Sequence, residues 1–404
     1  MARSTKRVFI YSDAVVYGGH EAMTLRGINA LLTAEGILVS VMYCKENTIL
    51  SRNLEELAKA ADNVRLLPVC RRPRRLQTLW SLVDSLSVRR IQRLLREEKP
   101  DIVVVSQGRI ESGSAGLLAA KRAGLRIVSY IPMAHPAQLA TPIAAGIRNY
   151  VNRYYYGLPH KFITVNEITR RSLLDQGAKA KIDVVPNCVE RFAISSTDRE
   201  RFRMKHNLKQ SDYVAAVVGR IDFRQKGQDF AVRSIARFKD ELPDFKFVFV
   251  GDGPDEGRLR ALISAFNLEQ QAFVVPRESN RSEIYGGIDL LLIPSKFEGV
   301  PLVMLEAMLS GVRIAASQVD GMSESLPRDW LFPFGDMRAF ATALVSARNE
   351  DASRVLDRNR GLIEREYSVK MFETGFRTSV LTAMDVPLEA RAYPYGHSIR
   401  ETSV

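Results

Sequence analysis

The sequence has few cysteines and no long apolar run. Cys44, Cys70 and Cys188 are the only cysteines among 404 residues, and they lie far apart, without the spacing of metal ligands. So sparse and odd a number argues against a secreted disulfide framework. No apolar stretch reaches the roughly 18 residues that a membrane-spanning helix needs. These absences exclude a disulfide-rich secreted protein and an integral membrane protein, and they predict a cytoplasmic chain.

Negative charge is scarce in the first half of the chain. Residues 1–190 contain 28 Lys and Arg against 16 Asp and Glu, a net of +12 that accounts for the whole formal charge of the protein. A basic face of this kind can meet anionic lipid, nucleic acid or an anionic substrate. No nucleic-acid motif or interleaved aromatic platform accompanies it, so we expect no nucleic-acid partner.

Short apolar strands alternate with longer amphipathic stretches along most of the chain. This order predicts an α/β protein with parallel sheets, and the length suits two Rossmann-like halves better than one large sheet. A polar segment from about Glu190 to Asp212 reads as the domain connection. The predicted strands are Val8–Tyr11, Ile37–Tyr43, Val64–Leu67, Ile102–Val105, Ile127–Tyr130, Phe162–Val165 and Ile182–Val185, then Val214–Val218, Phe245–Val250, Ala272–Val275, Leu290–Ile293 and Val312–Ala316.

The run IPSKFEGVPLVMLEAM, residues 293–308, carries the strongest chemical signal. A buried strand enters a turn, and a helix is predicted to begin near Pro301, because proline fits the first helical position. The N–H groups around this helix start have no helical partner and can bind anions or sugar hydroxyls. Gly299 lets a ligand approach the backbone closely. The residues that offer these N–H groups are Gly299, Val300, Leu302 and Val303.

Two carboxylates flank this helix start, Glu298 in the turn and Glu306 in the helix. A carboxylate accepts two hydrogen bonds and therefore binds a ribose diol well. A second carboxylate beside an anomeric carbon can hold a sugar hydroxyl and stabilise an oxocarbenium-like transition state. Two solvated surface glutamates are the plainer reading, but the glycine and proline between them favour a sugar-nucleotide site.

These residues resemble the E-x7-E motif of the family-4 retaining glycosyltransferases, also called group 1, which have the GT-B fold. The resemblance extends from Val8 to about Met384. It implies that Glu298 contacts the donor sugar and Glu306 the ribose. It further implies an acceptor-binding domain over residues 1–190, a nucleotide-sugar domain over 191–368 and a helix near 369–384 that crosses back to the first domain. Residues 387–404 are expected to form a flexible tail.

Further short elements agree with that family. Arg220 ends a strand and Lys226 follows it, an arrangement similar to the family's GR…KG element, which implies that both cations bind the pyrophosphate. Gly18-Gly19-His20 opens a helix and resembles the family's Gly-Gly element at the acceptor or phosphate. His135 follows another strand, where many members place a histidine against the donor sugar. We therefore name Glu298, His135, Arg220 and Lys226 as candidate catalytic residues.

Two glycine-containing turns leave open questions. Gly251 follows a strand in GDGPDEG, which faintly resembles a dinucleotide-binding turn, although the third glycine falls one position late and a proline intrudes. The family resemblance instead gives this turn a nucleotide-base or structural role. Asp320 replaces the first of two glycines that the family usually carries in a later loop, which puts the donor contacts of that loop in doubt.

A basic stretch over residues 71–99 suggests a membrane contact. Arginines precede and follow apolar residues at helical spacing from Leu76 to Leu95. A core-facing amphipathic helix explains the pattern without any partner. Alternatively, the stretch docks on anionic lipid at the inner face of the plasma membrane, which would suit a lipid-linked acceptor.

We therefore expect a retaining, metal-independent hexosyltransferase that needs no cofactor. Its donor would be a nucleotide sugar, UDP or GDP being the favoured nucleotides. Its acceptor would be a glycan or lipid-linked molecule in cell-surface polysaccharide or lipopolysaccharide synthesis. The absence of an Asp-x-Asp motif agrees with metal independence. A sugar-nucleotide epimerase of the same fold and an NAD-dependent oxidoreductase remain as alternatives.

Overall fold

The computed structural model describes residues 5–70, 76–140, 143–349 and 351–384, and two parallel sheets form its framework. The strands of the first sheet are β1 (Lys6–Tyr11), β2 (Ile37–Cys44), β3 (Val64–Val69), β4 (Ile102–Ser106), β5 (Arg126–Tyr130), β6 (Lys161–Thr164) and β7 (Lys181–Val184). Those of the second are β8 (Tyr213–Val218), β9 (Phe245–Val250), β10 (Ala272–Val275), β11 (Leu290–Ile293), β12 (Arg313–Ser317) and β13 (Leu331–Phe332).

Helices cover both sheets. In the first half they are α1 (Gly19–Leu32), α2 (Thr48–Ala60), α3 (Gln77–Val83), α4 (Ser85–Glu98), α5 (Ser114–Arg122), α6 (Ala137–Ala140), α7 (Ala145–Tyr156) and α8 (Glu167–Asp175). In the second they are α9 (Ser196–Lys205), α10 (Gln228–Arg237), α11 (Glu256–Ala265), α12 (Arg281–Gly287), α13 (Leu302–Ser310), α14 (Asp320–Ser325), α15 (Met337–Asn349), α16 (Ser353–Glu366) and α17 (Val369–Ala383). None of the helices in the described ranges is long and apolar enough to span a bilayer.

Both sheets have the strand order of a Rossmann-like fold. Among the described residues the first runs β3-β2-β1-β4-β5-β6-β7 and the second β10-β9-β8-β11-β12-β13, with every neighbouring pair parallel. The central strands β4 and β11 are buried along their whole length. Helices on both faces explain why such strands read as continuous apolar runs. The predicted α/β architecture of two Rossmann-like domains is confirmed.

The last helix returns to the first sheet. Phe372 and Phe376 of α17 are buried in the same apolar core as β1 and α1. A Cβ atom at Gly27 of α1 would lie 2.7 Å from the Phe376 ring, so only glycine permits this close packing. The chain thus passes between the domains twice, and a 3.0 Å hydrogen bond from Val189 N to the Tyr367 carbonyl joins the two crossings.

The predicted basic helix is broken. Asp84 caps α4 by accepting a hydrogen bond from Ser87 N, so α3 ends before α4 begins. The expectation that the apolar stripe from Leu76 to Leu95 forms one core face is therefore wrong. Val83 is 69 % exposed, whereas Ile91 and Leu95 are buried. Residues 71–75 of the basic stretch lie outside the described residues, as does the predicted tail 387–404.

The segment predicted as the domain connection also differs. Residues 196–205 form α9, whose Phe202 is fully buried in the core of the second sheet. Phe202 is the one buried apolar residue of this highly charged helix, so the sequence shows no hydrophobic periodicity there. Strand β13 was not predicted, because its two residues are too few to give a pattern.

Candidate functional site

The carboxyl ends of the two sheets face each other across a cleft, where ligands of parallel α/β folds bind. Turns after β1, β4 and β5 line one wall, which we call the acceptor side. Turns after β8 and β11 and the start of α13 line the other, which we call the donor side. At the base of the cleft, Gly19 of the acceptor side lies against Leu302 of the donor side. A Cβ atom on Gly19 would lie 3.2 Å from the Leu302 side chain.

Glu298 lies at the centre of the donor side and is 5 % exposed. Its Oε1 accepts hydrogen bonds from Lys226 Nζ at 2.5 Å and from Ser295 Oγ at 2.8 Å. Its backbone N–H donates to Asp320 Oδ2 at 2.6 Å. Charge-assisted bonds of this kind fix both the carboxylate and the ammonium group. The structure therefore brings Glu298 and Lys226, predicted separately, into direct contact.

Backbone contacts hold these two turns together. Gly227 has φ +65°, and a Cβ atom there would lie 2.0 Å from the Pro294 carbonyl oxygen. Lys296 N donates to the Gln225 carbonyl at 2.8 Å. Only glycine accommodates both the left-handed conformation and the close approach. Gly227 thus sets the position of Lys226 relative to Glu298.

The turn at Gly299 contacts the opposite domain. A Cβ atom on Gly299 would lie 2.6 Å from the Pro132 carbonyl oxygen. The backbone of the first domain therefore makes the close contact with Gly299 that we had expected from a ligand. Asn187 Nδ2 also donates to the Val300 carbonyl at 2.8 Å. These contacts bring the base of the two domains together around the start of α13.

Helix α13 begins one residue later than predicted. Pro301 is its N-cap and Leu302 its first residue, so proline is not the first helical position. No described residue accepts a hydrogen bond from the N–H groups of Val300, Leu302 or Val303. Free N–H groups at a helix start attract anions.

Glu306 follows on α13 and is held by two side chains that the sequence analysis missed. Tyr285 donates its hydroxyl to Glu306 Oε2 at 2.7 Å, and Arg281 Nη1 lies 3.4 Å from Oε1. Burial raises the pKa of Glu306, although both partners oppose the shift. Tyr285 and Arg281 lie on α12, about twenty residues away, and no local pattern marks them as partners of Glu306.

Arg220 and Gly251 lie on adjacent turns. Arg220 Nη2 donates to Asp222 Oδ2 at 2.5 Å, and its side chain remains 40 % exposed to solvent. A Cβ atom on Gly251 would lie 2.0 Å from the Gly219 carbonyl oxygen. Gly251 therefore supports the turn that carries Arg220. Direct contact of Gly251 with a donor stays a prediction.

His135 reaches the donor side from the loop after β5. Its ring packs edge-on against Phe297, with ring centroids 5.4 Å apart. Its Nε2 is 3.4 Å from Asp320 Oδ2 but makes no hydrogen bond with a described residue. Asp320 has φ +46°, in the left-handed region that favours glycine. This explains why a glycine is usual there, while the aspartate carboxylate joins the Glu298 backbone to the neighbourhood of His135.

The glycine pair at the start of α1 is built around Glu21. Gly18 is the N-cap, and its N–H donates to Glu21 Oε2 at 2.8 Å. His20 Nε2 lies 2.9 Å from Ser106 Oγ, and its ring packs on Tyr130. Burial lowers the pKa of His20 to about 3, so its imidazole is neutral near pH 7. The role of Gly18, Gly19 and His20 in acceptor binding stays a prediction.

The predicted residues converge on the cleft, although they come from five separate turns. No group of three or more His, Cys, Asp and Glu side chains placed to hold a metal occurs in the described parts of the chain. Whether the reaction uses a metal stays untested. The residues that sequence reasoning missed share one trait: each becomes relevant only through a contact between distant segments.

Comparison with known proteins adds two family models. The model described as Glycosyl transferases group 1 matches residues 198–359, and the Glycosyl transferase 4-like domain matches residues 18–188. The chain is 29 % identical over 252 residues to 2-deoxystreptamine glucosyltransferase of Streptomyces kanamyceticus, which covers 58 % of this chain and 64 % of that protein. The match therefore spans just under two thirds of that relative.

A second relative aligns over more of the chain. It is the UDP-Gal:alpha-D-GlcNAc-diphosphoundecaprenol alpha-1,3-galactosyltransferase of Escherichia coli, 25 % identical over 79 % of this chain and 82 % of that protein. Among solved structures, Anabaena HepE in complex with UDP and glucose superimposes with a TM-score of 0.75. It covers 93 % of this chain and 100 % of that chain at 15 % identity, which shows a shared fold. That fold is the two-domain GT-B arrangement.

Proposed function

The chain belongs to the group 1 glycosyltransferases, and from that premise we propose that it transfers a hexosyl group from a nucleoside diphosphate sugar to a glycan or lipid-linked acceptor, with retention. The observation that carries this proposal is the donor side of the cleft. It combines two cations, two carboxylates and the free N–H groups of a helix start. Cations and free N–H groups bind a diphosphate, and carboxylates accept hydrogen bonds from the hydroxyls of a ribose and a sugar.

Each donor-side residue has a proposed role. Arg220 and Lys226 would bind the diphosphate, Glu306 the ribose diol, and Glu298 the hydroxyls of the donor sugar. In the free protein Lys226 is paired with Glu298. On donor binding, Lys226 would bridge to the diphosphate and leave Glu298 oxygens free to accept from sugar hydroxyls. His135 would contact the sugar near its anomeric carbon from the acceptor side.

Retention fits a front-side attack. The acceptor hydroxyl oxygen would bond to the anomeric carbon while the bond to the diphosphate oxygen breaks on the same face. The departing diphosphate oxygen would take the hydroxyl proton, and Arg220 and Lys226 would stabilise its charge. Two fixed cations supply the neutralisation that a metal ion provides in other phosphate sites, which supports the proposal of metal independence.

The relatives support the classes of donor and acceptor. The E. coli relative takes, by its name, a UDP-sugar donor and a lipid diphosphate acceptor, and HepE is described with UDP. We propose UDP or GDP as the nucleotide and a lipid-linked glycan of cell-surface polysaccharide or lipopolysaccharide as the acceptor. The epimerase and oxidoreductase alternatives are not favoured by any of these relatives.

A peripheral membrane contact is part of the same proposal. Arg89, Arg90, Arg93 and Arg96 are exposed on α4. Leu86, three residues before Arg89 on the same helix, is 78 % exposed. Exposed apolar and basic side chains side by side are typical of surfaces that dock on anionic bilayers. We propose that this face rests on the inner face of the plasma membrane.

A two-step experiment tests the function. Thermal shifts of the purified chain are measured with UDP-, GDP-, ADP- and dTDP-glucose in the presence of EDTA, since a bound ligand raises the melting temperature. Different sugars linked to the nucleotide that binds are then tested as donors, with lipid extracts as the source of acceptors. The anomeric configuration of the product is determined by NMR. A folded protein that none of the four nucleotides stabilises would contradict the proposal, and an inverted product would contradict retention.

A further inference from the structure

A separate pocket opens beside the donor side of the cleft, and residues of the first domain form almost all of it. Its enclosed part has room for about one water-sized group, and the space reaches about 290 Å³ only when its open mouth is included. The loop after β4, the loop after β5 and helices α6 and α7 supply most of its walls, and Phe297 of the donor side closes one end. Because Phe297 precedes Glu298, a molecule in this pocket would lie next to the proposed donor sugar. The lining residues used below are Arg109, Glu111, His135, Asn152 and Phe297.

Arg109 is the residue of this pocket whose charge is not matched. No described residue forms a hydrogen bond or ion pair with its guanidinium. Glu111, the nearest carboxylate, is already held by Arg148, whose Nε and Nη2 donate to its two oxygens at 2.7 Å each. These three side chains therefore carry one net positive charge, and that charge belongs to Arg109.

The surroundings of Arg109 increase the cost of leaving it unpaired. Burial lowers the pKa of Arg109; the carboxylates of Glu111 and Asp222 oppose this shift, and the nearby cations Arg148 and Arg220 add to it. A guanidinium nevertheless keeps its proton in proteins. A charged group that is partly removed from water and has no counter-charge is destabilised until an anion binds it.

A second unsatisfied group lies in the same pocket. Asn152 is 3 % exposed, and its Oδ1 has no hydrogen-bond partner among the described residues. Its Nδ2 faces Glu111 Oε1 at 3.5 Å, which leaves the oxygen as an acceptor for a ligand. The pocket thus offers a donor of charge-assisted hydrogen bonds at Arg109 and an acceptor for a hydroxyl at Asn152.

We propose that this pocket is the acceptor subsite, in which Arg109 binds an acidic group of the acceptor sugar and Asn152 Oδ1 accepts a hydrogen bond from one of its hydroxyls. The inference rests on the proposed function and deepens it, because it assigns an anionic acceptor. The anion is a phosphate ester or a carboxylate. Arg220 and Lys226, on the opposite wall, remain for the donor diphosphate.

Isothermal calorimetry with three soluble probes tests the proposal. These are α-glucose 1-phosphate, methyl α-glucuronide and methyl α-glucoside, each titrated into the full chain saturated with UDP, which occupies the diphosphate site. A titration of UDP itself precedes each experiment. The first probe carries a phosphate, the second a carboxylate, and the third is the neutral control. The variant is Arg109→Gln, and Arg52→Gln on α2 removes an exposed charge from the same domain outside the pocket.

One of the two anionic probes is expected to bind more tightly than the neutral glucoside, and the stronger of them identifies the acidic group. Arg109→Gln should weaken that probe about tenfold to a hundredfold, the range for a hydrogen bond to a charged group, while UDP affinity changes less than about twofold. Arg109→Lys keeps the charge but loses the forked geometry, so its loss should be intermediate. Arg52→Gln should match the wild type.

The outcomes separate this inference from the proposed function. If UDP binds but the anionic probes bind no better than the neutral one, or bind Arg109→Gln as well as wild type, the acceptor subsite is overturned. If UDP does not bind but an anionic probe still depends on Arg109, the pocket stands and the nucleotide-sugar assignment falls. A cooperative melting transition at or above the wild-type temperature establishes that the variants are folded.

Discussion

The two walls of the cleft differ in how far the side chains proposed to bind ligands are paired before a ligand binds. On the donor side, Glu298 is held by Lys226, and Glu306 is held by Tyr285. On the acceptor side, the Arg109 guanidinium and Asn152 Oδ1 have no partner among the described residues. The donor-side carboxylates are therefore held in place without a ligand, whereas the proposed acceptor pocket would be completed by its ligand. This difference would arise if members of the family share one donor chemistry but use different acceptors.

Removing the central carboxylate should have the largest effect. Glu298→Gln is expected to lower the rate of sugar transfer by about a hundredfold or more, because the charge that stabilises the transition state is lost. The variant should remain folded because the amide is isosteric, but its melting temperature should be lower, since Lys226 loses its charged partner. The measurement is kcat with saturating donor. Glu256→Gln, a surface glutamate paired with Arg260, is the matched control; near-normal turnover in Glu298→Gln would refute the site.

Loss of the paired cation should chiefly affect nucleotide binding. Lys226→Met is expected to weaken the affinity for the nucleoside diphosphate by about tenfold, the value of one charge-assisted hydrogen bond. It should leave the affinity of the acceptor-side probes unchanged, which sharpens the comparison between the walls. Calorimetry with the nucleotide measures it, and Lys246→Met on β9 serves as the control. Equal weakening of both kinds of ligand would mean that the walls are not independent.

The backbone lock at Gly227 can be tested against an open glycine. Gly227 and Gly36 have similar φ values, +65° and +73°. A Cβ atom on Gly227 would lie 2.0 Å from the Pro294 carbonyl oxygen, whereas a Cβ atom on Gly36 would have no neighbour within 4 Å. Gly36→Ala should cost about 1 kcal/mol of stability, from backbone strain alone. Gly227→Ala should cost more and also slow transfer, because Lys226 is displaced from Glu298. Melting temperatures and kcat of the two variants measure this; equal losses would show that the contact with Pro294 is unimportant.

The smallest effect is expected from pH on the acceptor side. The pKa of His20 is lowered from 6.5 to about 3 in the folded protein. Between these values the unfolded chain holds a proton that the folded chain lacks, so stability falls as the pH drops below 6.5. His20→Asn removes this term. Its melting temperature should therefore fall by a few degrees less than that of wild type between pH 7 and pH 4.5. Parallel curves would show that the fold does not lower the pKa of His20.

The sequence was informative where the site is local and less so where distant segments meet. Glu298, Gly299 and Glu306 lie within nine residues of one strand–turn–helix unit, and their spacing fixes their relative positions. Arg109 and Asn152 lie on different elements, and only the folded chain brings them to one pocket. The break at Asp84 shows the same limit: a single capping side chain ended a helix that hydrophobic spacing alone predicted to continue.

The return of α17 to the first domain has a consequence for folding during synthesis. Phe372 and Phe376 complete the core around α1, yet the ribosome makes them after the whole of the second sheet. Domains ordinarily fold in the order in which they emerge. Here the first domain has to wait with the α1 surface around Gly27 uncovered, so the second domain can finish first. A truncation before residue 369 would therefore leave the earlier part of the chain, rather than the later part, with an open core.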